Sequence, residues 1–224
     1  QEGIKQSCDV YFYRLGEKLG IDAISDYARS NGFHQKTGII LPNEHSGVIP
    51  GREWKLRNIG RSWQGGDTLN TAIGQGFTLV TPLQISRYVA ALVNGGHLLK
   101  PNLLTESEPS QQGRLPLSGE SINFLLESMR VTVEEPHGTA WRLRTQNATI
   151  GGKTGTAQVI KLKEEQRGAD TETIPYRFRD HAWMASYGIR GKQKYVVVAL
   201  VEHGGHGSSA AGPIVKDIFE HLFK

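Results

Sequence analysis

Apolar residues recur every three or four positions in five stretches of the chain, which is the spacing of one face of a helix. The first stretch ends at Gly20 and a second follows it directly. Two central stretches start behind capping residues, Thr81 with a proline next to it and Ser118, and the last carries Pro213 near its start. The predicted inward positions are Ile4, Cys8, Tyr11, Phe12, Leu15 and Leu19; Ile24, Tyr27 and Ala28; Leu83, Ile85, Tyr88, Val89, Leu92 and Val93; Ile122, Leu125, Leu126, Met129 and Val133; and Ile214, Val215, Ile218, Phe219 and Leu222.

β-Branched and apolar runs predict three consecutive strands in the last third of the chain. The first begins at the glycines 151–152, and the other two, 181–189 and 194–202, form a hairpin. The unbroken apolar run 196–201 predicts a strand that is covered on both faces. Helices followed by three sequential strands and a last helix predict an α+β fold with a largely antiparallel sheet.

Three segments lack a sustained period and predict loops. Residues 33–80 are rich in glycine, proline, asparagine and aspartate, and a loop of that length is typical of a site rather than a core. Within it Asp67 follows two glycines and is interpreted as a turn former or helix cap, not as a catalytic carboxylate. Residues 105–116 predict a polar surface connection, and 161–175 a mobile loop.

Composition narrows the class of protein. The 224 residues are 38% hydrophobic and 21% charged, which is ordinary for a soluble domain. The net charge of +4 is scattered and no zinc-finger or RNP-like motif is present, so we expect no nucleic-acid partner. No apolar run is long enough to span a membrane. Because the chain starts at Gln1 directly before a helical pattern, we expect a fragment of a longer protein whose anchor lies upstream.

The strongest chemical signal is the segment 151–158, which reads Gly-Gly-Lys-Thr-Gly-Thr-Ala-Gln. Glycines 152 and 155 remove side-chain bulk on both sides of Lys153, so a ligand could lie against the backbone. One cation, two hydroxyls and exposed N–H groups suit a carboxylate and a developing oxyanion. The triplet alone leaves open a strand that merely begins with glycines. A second copy, Lys36-Thr37-Gly38, lacks the glycine lead and is soon followed by Pro42, so it predicts a turn.

Ser7-Cys8-Asp9 lies 146 residues before Lys153, at the head of the first predicted helix. A serine there is more often a helix cap, but its pairing with Lys-Thr-Gly is typical of penicillin-binding proteins and serine β-lactamases. Over its whole length the sequence resembles the C-terminal two-thirds of the transpeptidase domain of class B penicillin-binding proteins. Asp9, where asparagine is more usual, points to the elongation-type branch. The supporting blocks are Gly38-Ile39-Ile40-Leu41-Pro42, Gly66-Asp67-Thr68 to Gly76, Thr81-Pro82-Leu83-Gln84, His181-Ala182-Trp183 and the turn from Gly204-Gly205 to Ala211.

The resemblance implies catalytic roles for Ser7, Asp9 and Lys153. Lys153 and Thr154 would hold the catalytic hydrogen-bond network and attract the terminal carboxylate of the substrate. Gly155 and Thr156 would belong to the same substrate-binding and oxyanion group. Thr156 would bind the carboxylate through its hydroxyl and supply half of the oxyanion hole through its N–H. Ser7 would pass protons between Lys153, a general base and the leaving amine, and Asp9 would position that base.

The resemblance also implies the fold and the setting. We expect one partial transpeptidase domain over 1–224, helical over 1–140, with the sheet and the C-terminal helix over 141–224, and incomplete at its N-terminus. Its partners would be peptidoglycan stem peptides, β-lactams and proteins of the cell-wall elongation machinery, at the periplasmic face of the bacterial inner membrane. No cofactor and no metal are implied.

One part of the family pattern is missing, because no serine in the chain is followed three positions later by lysine. The nucleophile and its lysine base would therefore lie upstream, and we expect this chain alone to be inactive. A serine β-lactamase or D,D-carboxypeptidase, and a non-catalytic β-lactam sensor or scaffold domain, remain alternatives.

Cys8, the only cysteine, is expected to be a small buried hydrophobe, with a metal ligand completed by upstream residues as the alternative. The eight histidines show no zinc-ligand spacing. His203 and His206 flank glycines and are expected to be solvated turn residues.

Overall fold

The computed structural model describes residues 1–104, 108–159 and 174–224. They divide into two compact units, residues 1–3 with 7–126 and residues 4–6 with 127–224. The prediction of one domain over the whole chain stays a prediction, and the loop predicted at 161–175 lies outside the described residues up to 173. In chain order the elements are α1 (Glu2–Lys5), α2 (Asp9–Ser30), α3 (Arg52–Ile59), α4 (Gly65–Ala72), α5 (Pro82–Val93), β1 (His97–Leu99), β2 (Gln111–Arg114), α6 (Gly119–Glu134), β3 (Thr149–Ala157), β4 (His181–Arg190), β5 (Gln193–Val201) and α7 (Gly207–Leu222), with single 3₁₀ turns at Trp141–Leu143 and Tyr176–Phe178.

The second unit is built on the antiparallel sheet β3–β4–β5, which confirms the predicted strands and the α+β class. Strand β5 is half exposed along its apolar run, so the prediction that it is covered on both faces is wrong. Alternate residues of β5, namely Tyr195, Val197, Ala199 and Val201, pack against the core that includes α7. The buried core consists of Val133, Ala140, Leu143, Ile150, Ala182, Met184, Ala211, Val215, Phe219 and Phe223.

Helix α7 begins six residues earlier than Pro213 suggested. Residues 207–211, predicted as a turn, form its first turn and a half, because the preceding His206 already takes the extended backbone of an N-cap. Val215 and Phe219 point into the core as predicted. Ile214 and Ile218 were also predicted to point inward, but they are exposed.

In the first unit, helix α2 confirms the predicted break at Gly20, whose φ of 75° and ψ of 161° interrupt the helix. Its predicted apolar face is exposed instead of buried, with Tyr11 56% and Leu19 52% accessible. The predicted caps hold: Thr81 Oγ1 accepts from the N–H of Gln84 at 3.1 Å, and Ser118 Oγ from that of Ser121 at 3.1 Å. No helix in the described residues is both long and apolar enough to cross a membrane.

Residues 33–80 contain two helices, α3 and α4, where only loops were predicted. A buried ion pair joins them, with Lys55 Nζ 2.5 Å from Asp67 Oδ2 and side chains 8% and 18% exposed. The ammonium also lies 5.9 Å and 5.7 Å from the ring centres of Trp63 and Phe77. The carboxylate accepts the N–H of Gln64 at 2.7 Å, so its interpretation as a helix cap is confirmed.

The helical part also contains two short strands that were not predicted. β1 pairs antiparallel with β2, which lies inside the supposed polar connection at 105–116. The strand residues of β2 are polar and mostly exposed, so its backbone pairing with β1, and not an apolar pattern, defines it.

The first Lys-Thr-Gly copy lies in an irregular loop and not in a strand, which agrees with the choice of the second copy as the site. Thr37 is fully buried, and the carboxylate of Glu44 accepts hydrogen bonds from it. One carboxylate oxygen accepts from the N–H and the hydroxyl of Thr37, both at 2.6 Å, and the other from the N–H of Gly38 at 3.0 Å. Burial acts to raise the pKa of Glu44, but these hydrogen bonds and nearby Lys36 hold it below its ordinary value of 4.5.

We expect Glu44→Gln to change how stability depends on pH. Because the folded state lowers this pKa, the charged carboxylate stabilises the fold above about pH 4.5, and this contribution is lost as the pH falls through the folded-state value. The free energy of unfolding of the variant should therefore lie below that of the wild type at about pH 7, and the gap should narrow towards about pH 3. Denaturant titrations measure it, with the exposed Glu53→Gln as the control. A gap that is independent of pH would contradict the assignment.

Candidate active site

Strand β3 presents its Lys-Thr-Gly-Thr segment on alternating faces. Lys153 and Gly155 share one face, and their partners across the ladder on β4 are Ala185 and Trp183. Thr154 and Thr156 point to the other face. All four residues are partly exposed, so the strand offers one cation and two hydroxyls at an accessible surface.

The glycines around Lys153 have a different role from the one predicted. A Cβ on Gly151 would lie 2.3 Å from the Tyr187 ring, and one on Gly152 would lie 2.7 Å from Leu143. Protein atoms therefore fill the space that was predicted to admit a ligand at Gly152. These two glycines allow close packing of β3 against its neighbours. Burial raises the pKa of Tyr187 to about 12, as expected for a phenol inside this contact.

Gly155 is enclosed by two neighbours. A Cβ on Gly155 would lie 3.2 Å from the Cβ of Trp183. A Cβ on Gly207, at the start of α7, would lie 2.6 Å from the Gly155 oxygen and 2.3 Å from the Trp183 oxygen. Since backbone atoms cannot yield like a side chain, Gly207 must be glycine for α7 to approach β3 this closely.

A hydrogen-bond chain leads away from the strand. Lys153 Nζ donates to the carbonyl of Thr154 at 2.8 Å, and Thr154 Oγ1 donates to Thr139 Oγ1 at 3.1 Å. The N–H of Thr139 then donates to the carbonyl of Lys5 at 3.3 Å. Lys5 is buried and its ammonium pairs with Glu135 at 3.0 Å. The sequence interpretation missed Lys5, Glu135 and Thr139, which stand in no motif and are connected only by the fold.

Ser7 and Asp9 flank the N-cap of α2. Ser7 lies in the turn before the helix with a φ of 53°, a left-handed conformation that is unfavourable for a residue with a side chain. The N-cap residue is Cys8, so the alternative in which Ser7 caps the helix is wrong. The prediction that Cys8 is buried is wrong too, because this side chain is exposed at the N-terminus of α2. Asp9 is exposed in the first helical turn, where a negative charge suits the helix dipole.

The predicted site residues thus fall into two groups. Lys153, Thr154, Gly155 and Thr156 lie on one strand of the second unit, and Ser7 and Asp9 lie together in the first unit. The meeting of Ser7 with Lys153 stays a prediction.

One of the two histidines that were predicted to be solvated turn residues, His203, is held by hydrogen bonds. His203 is half-buried and hydrogen-bonded through both its backbone and its ring, so it is not a solvated turn residue, whereas His206 is exposed. Within residues 1–104, 108–159 and 174–224, no group of three or more histidine, cysteine or acidic side chains is placed to hold a metal ion.

Comparison with known proteins gives a consistent result. A family model described as the penicillin binding protein transpeptidase domain matches residues 1–220. The chain is 32% identical over 234 residues to the peptidoglycan D,D-transpeptidase MrdA of Salmonella typhimurium, covering 99% of this chain and 37% of that protein. It therefore spans less than two fifths of the length of this curated relative.

Solved structures agree with this match. The chain is similar to penicillin-binding protein 2 of Helicobacter pylori in a complex with MreC, with 35% identity, a TM-score of 0.82, and coverage of 99% of this chain and 40% of that one. It is also similar to penicillin-binding protein 2 of Pseudomonas aeruginosa in complex with WCK 5153, with 31% identity, a TM-score of 0.82, and coverage of 98% and 48%.

Proposed function

The chain belongs to the penicillin-binding protein transpeptidase family, in the penicillin-binding protein 2 branch of class B, and from this we propose that the protein carrying it is a serine peptidoglycan D,D-transpeptidase of cell-wall elongation. Its substrate would be a stem peptide ending in D-Ala-D-Ala. A serine supplied by the preceding sequence bonds to the carbonyl carbon, and the terminal D-alanine leaves with the proton that this serine gives up. An amine of a neighbouring peptidoglycan strand then bonds to the same carbon, the serine leaves with the proton that the amine gives up, and the cross-link is complete.

The observation that carries the proposal is the partly exposed Lys-Thr-Gly-Thr segment of β3, which presents one cation and two hydroxyls in a chain whose residues 1–220 match the transpeptidase family. The roles proposed for the site are those that the motifs of the family give to these residues. Lys153 and Ser7 pass the proton, Asp9 positions the base, and Lys153 with Thr154 and Thr156 holds the substrate carboxylate.

The strained turn at Ser7 also supports a functional role. A residue held at an unfavourable backbone angle persists only where its surroundings fix it, and such residues concentrate at active sites. Thr156 and Gly155 would contribute the oxyanion site through the Thr156 N–H, on a strand segment against which Trp183 and Gly207 pack closely at Gly155.

The setting is part of the same proposal. The protein would act at the periplasmic face of the bacterial inner membrane, held by an upstream anchor. Its partners would include elongation proteins, because a similar penicillin-binding protein 2 forms a complex with MreC. β-Lactams would acylate the same serine as substrate mimics. No cofactor is required, since acyl transfer uses only proton transfer and charge stabilisation.

Two experiments test the proposal. A fluorescent penicillin should label the protein that includes the preceding serine motif, and should not label residues 1–224 alone, because the nucleophile is absent. The unlabelled protein should transfer the acyl group of a pentapeptide substrate to an added amine, and prior labelling by the penicillin should block this transfer. Stable labelling within residues 1–224 would overturn the placement of the nucleophile. Hydrolysis without transfer would instead identify a β-lactamase or carboxypeptidase, and an absence of any reaction would identify a binding domain.

A further inference from the structure

Two histidines join the connection between β5 and α7 to the start of β4. We call this pair, His181 and His203, the histidine clasp. His181 is the first residue of β4 and pairs in the ladder with Ala157, the last residue of β3. The N–H of His203 donates to Nδ1 of His181 at 2.9 Å, and the two ring centres are 4.7 Å apart. The clasp therefore lies beside the end of the strand that carries Lys153.

The donor in this contact fixes the protonation of His181. A backbone N–H can only donate, so Nδ1 of His181 carries no proton, and a neutral ring has its proton on Nε2. His203 Nδ1 lies 3.1 Å from the carbonyl of Arg179, which accepts its proton. Protonating His181 would place a second donor opposite the N–H of His203 and break the bond between them.

The clasp holds a short segment that reaches Gly155. His203 itself has a φ of 56°, and the N–H of Gly205 donates to the carbonyl of Asp180 at 2.9 Å. Two residues later, Gly207 packs against the backbone of Gly155. A Cβ on Gly207 would lie only 2.6 Å from the Gly155 oxygen. Residues 203–207 thus connect the ring of His181 to the strand segment that precedes Thr156.

We infer that His181 is a positioning residue: its neutral ring holds residues 203–207 against β3, so that the Thr156 N–H is set for the developing oxyanion, and its protonation releases this segment. The inference rests on the proposed acyl-transfer function. It predicts that the acylation step, and not the initial binding of the acyl donor, depends on His181.

Several charged groups surround the clasp in the described residues. They are Asp180, Arg179 and His206, with the ring of His203 beside that of His181. The ring centre of Tyr176 lies 5.0 Å from that of His203. Burial raises the pKa of Asp180, while a hydrogen bond from Val159 and the charges of His206 and His181 act to lower it.

Two substitutions separate positioning from mere packing, in the protein that includes the preceding serine motif. His181→Asn keeps an acceptor near the Nδ1 position but cannot be protonated, and His181→Leu removes the acceptor. We expect His181→Leu to slow the acylation step by a β-lactam about tenfold at every pH, with the dissociation constant of the initial complex nearly unchanged. His181→Asn should acylate near the wild-type rate and lose less rate between about pH 8 and about pH 5. The exposed His45→Asn is the matched control.

Amide hydrogen exchange tests the clasp without any catalysis. After correction for the intrinsic pH dependence, protection of the His203 and Gly205 amides in the wild type should fall from about pH 8 to about pH 5, while that of Tyr187 in mid-β4 stays constant. In His181→Asn all three should stay constant. If the wild type is not acylated at any pH, the proposed function fails and exchange alone decides the inference. Constant protection in the wild type, or matching pH profiles for wild type and His181→Asn, would overturn it, even if His181→Leu does not fold.

Discussion

Replacing Lys153 by methionine will slow acylation by a β-lactam about 100- to 10,000-fold in the protein that includes the preceding serine motif. Methionine keeps the length of the side chain but removes the charge that is proposed to hold the proton network and the substrate carboxylate. The folded state should change little, since Lys153 is partly exposed and its amine donates to the carbonyl of the adjacent Thr154. Stopped-flow measurement of the acylation rate, with thermal unfolding in parallel, gives both quantities.

The chain contains its own control for this experiment. Lys36→Met makes the same change in the same tripeptide, but Lys36 is exposed in an irregular loop. We expect this variant to acylate at the wild-type rate. Equal rates for Lys153→Met and the wild type would remove the strand from the reaction, and equal losses in both variants would show that overall charge, and not the site, governs acylation.

Replacing Asp67 by asparagine will lower the free energy of unfolding by about 3–5 kcal/mol. The Lys55 ammonium would then remain buried among Trp63 and Phe77 without a counter-charge. Taking one partner from a buried ion pair is far more costly than taking one from an exposed pair. Asp22→Asn is therefore the matched control, because its pair with Arg52 has side chains 68% and 60% exposed, and about 1 kcal/mol or less should be lost.

A double variant isolates the ionic contribution. Lys55→Met with Asp67→Leu removes both charges and should recover most of the lost stability. It should remain about 1 kcal/mol below the wild type, because Asp67 also caps α4 through the N–H of Gln64. Denaturant unfolding followed by tryptophan fluorescence measures all four proteins. If the double variant is no more stable than Asp67→Asn, the cap and the packing, and not the unpaired ammonium, account for the loss.

The same ion pair shows why part of the fold could not be predicted. The sequence of α3 is polar around most of its circumference, and its stability comes from Lys55 meeting a carboxylate 12 residues later. Local periodicity cannot detect such a contact. The polar strand β2 was not predicted for a similar reason, because its backbone hydrogen bonds with β1 define it. By contrast, the β-branched and apolar runs of β3–β5 and the periodic apolar positions of α5 and α6 are local patterns, and they predicted these elements.

Some features of the site could be predicted from the sequence, and others could not. The Lys-Thr-Gly-Thr strand and the family were both identified from sequence, and the family match confirms the second. The sequence could not show that Leu143 fills the space beside Gly152, because this contact joins residues whose pairing depends on the sheet. Nor could it show that Thr139 links Thr154 to Lys5, since a lone threonine has no local signature.

If β-lactams acylate the protein as proposed, the close packing of Gly151 and Gly152 limits how it could evolve under antibiotic selection. Any larger side chain at either position must displace Tyr187 or Leu143, both of which are buried. A variant that excludes a drug by reshaping this part of the strand would therefore disturb the sheet that carries the proposed site. Heritable resistance should accumulate instead where the surroundings can yield without moving β3.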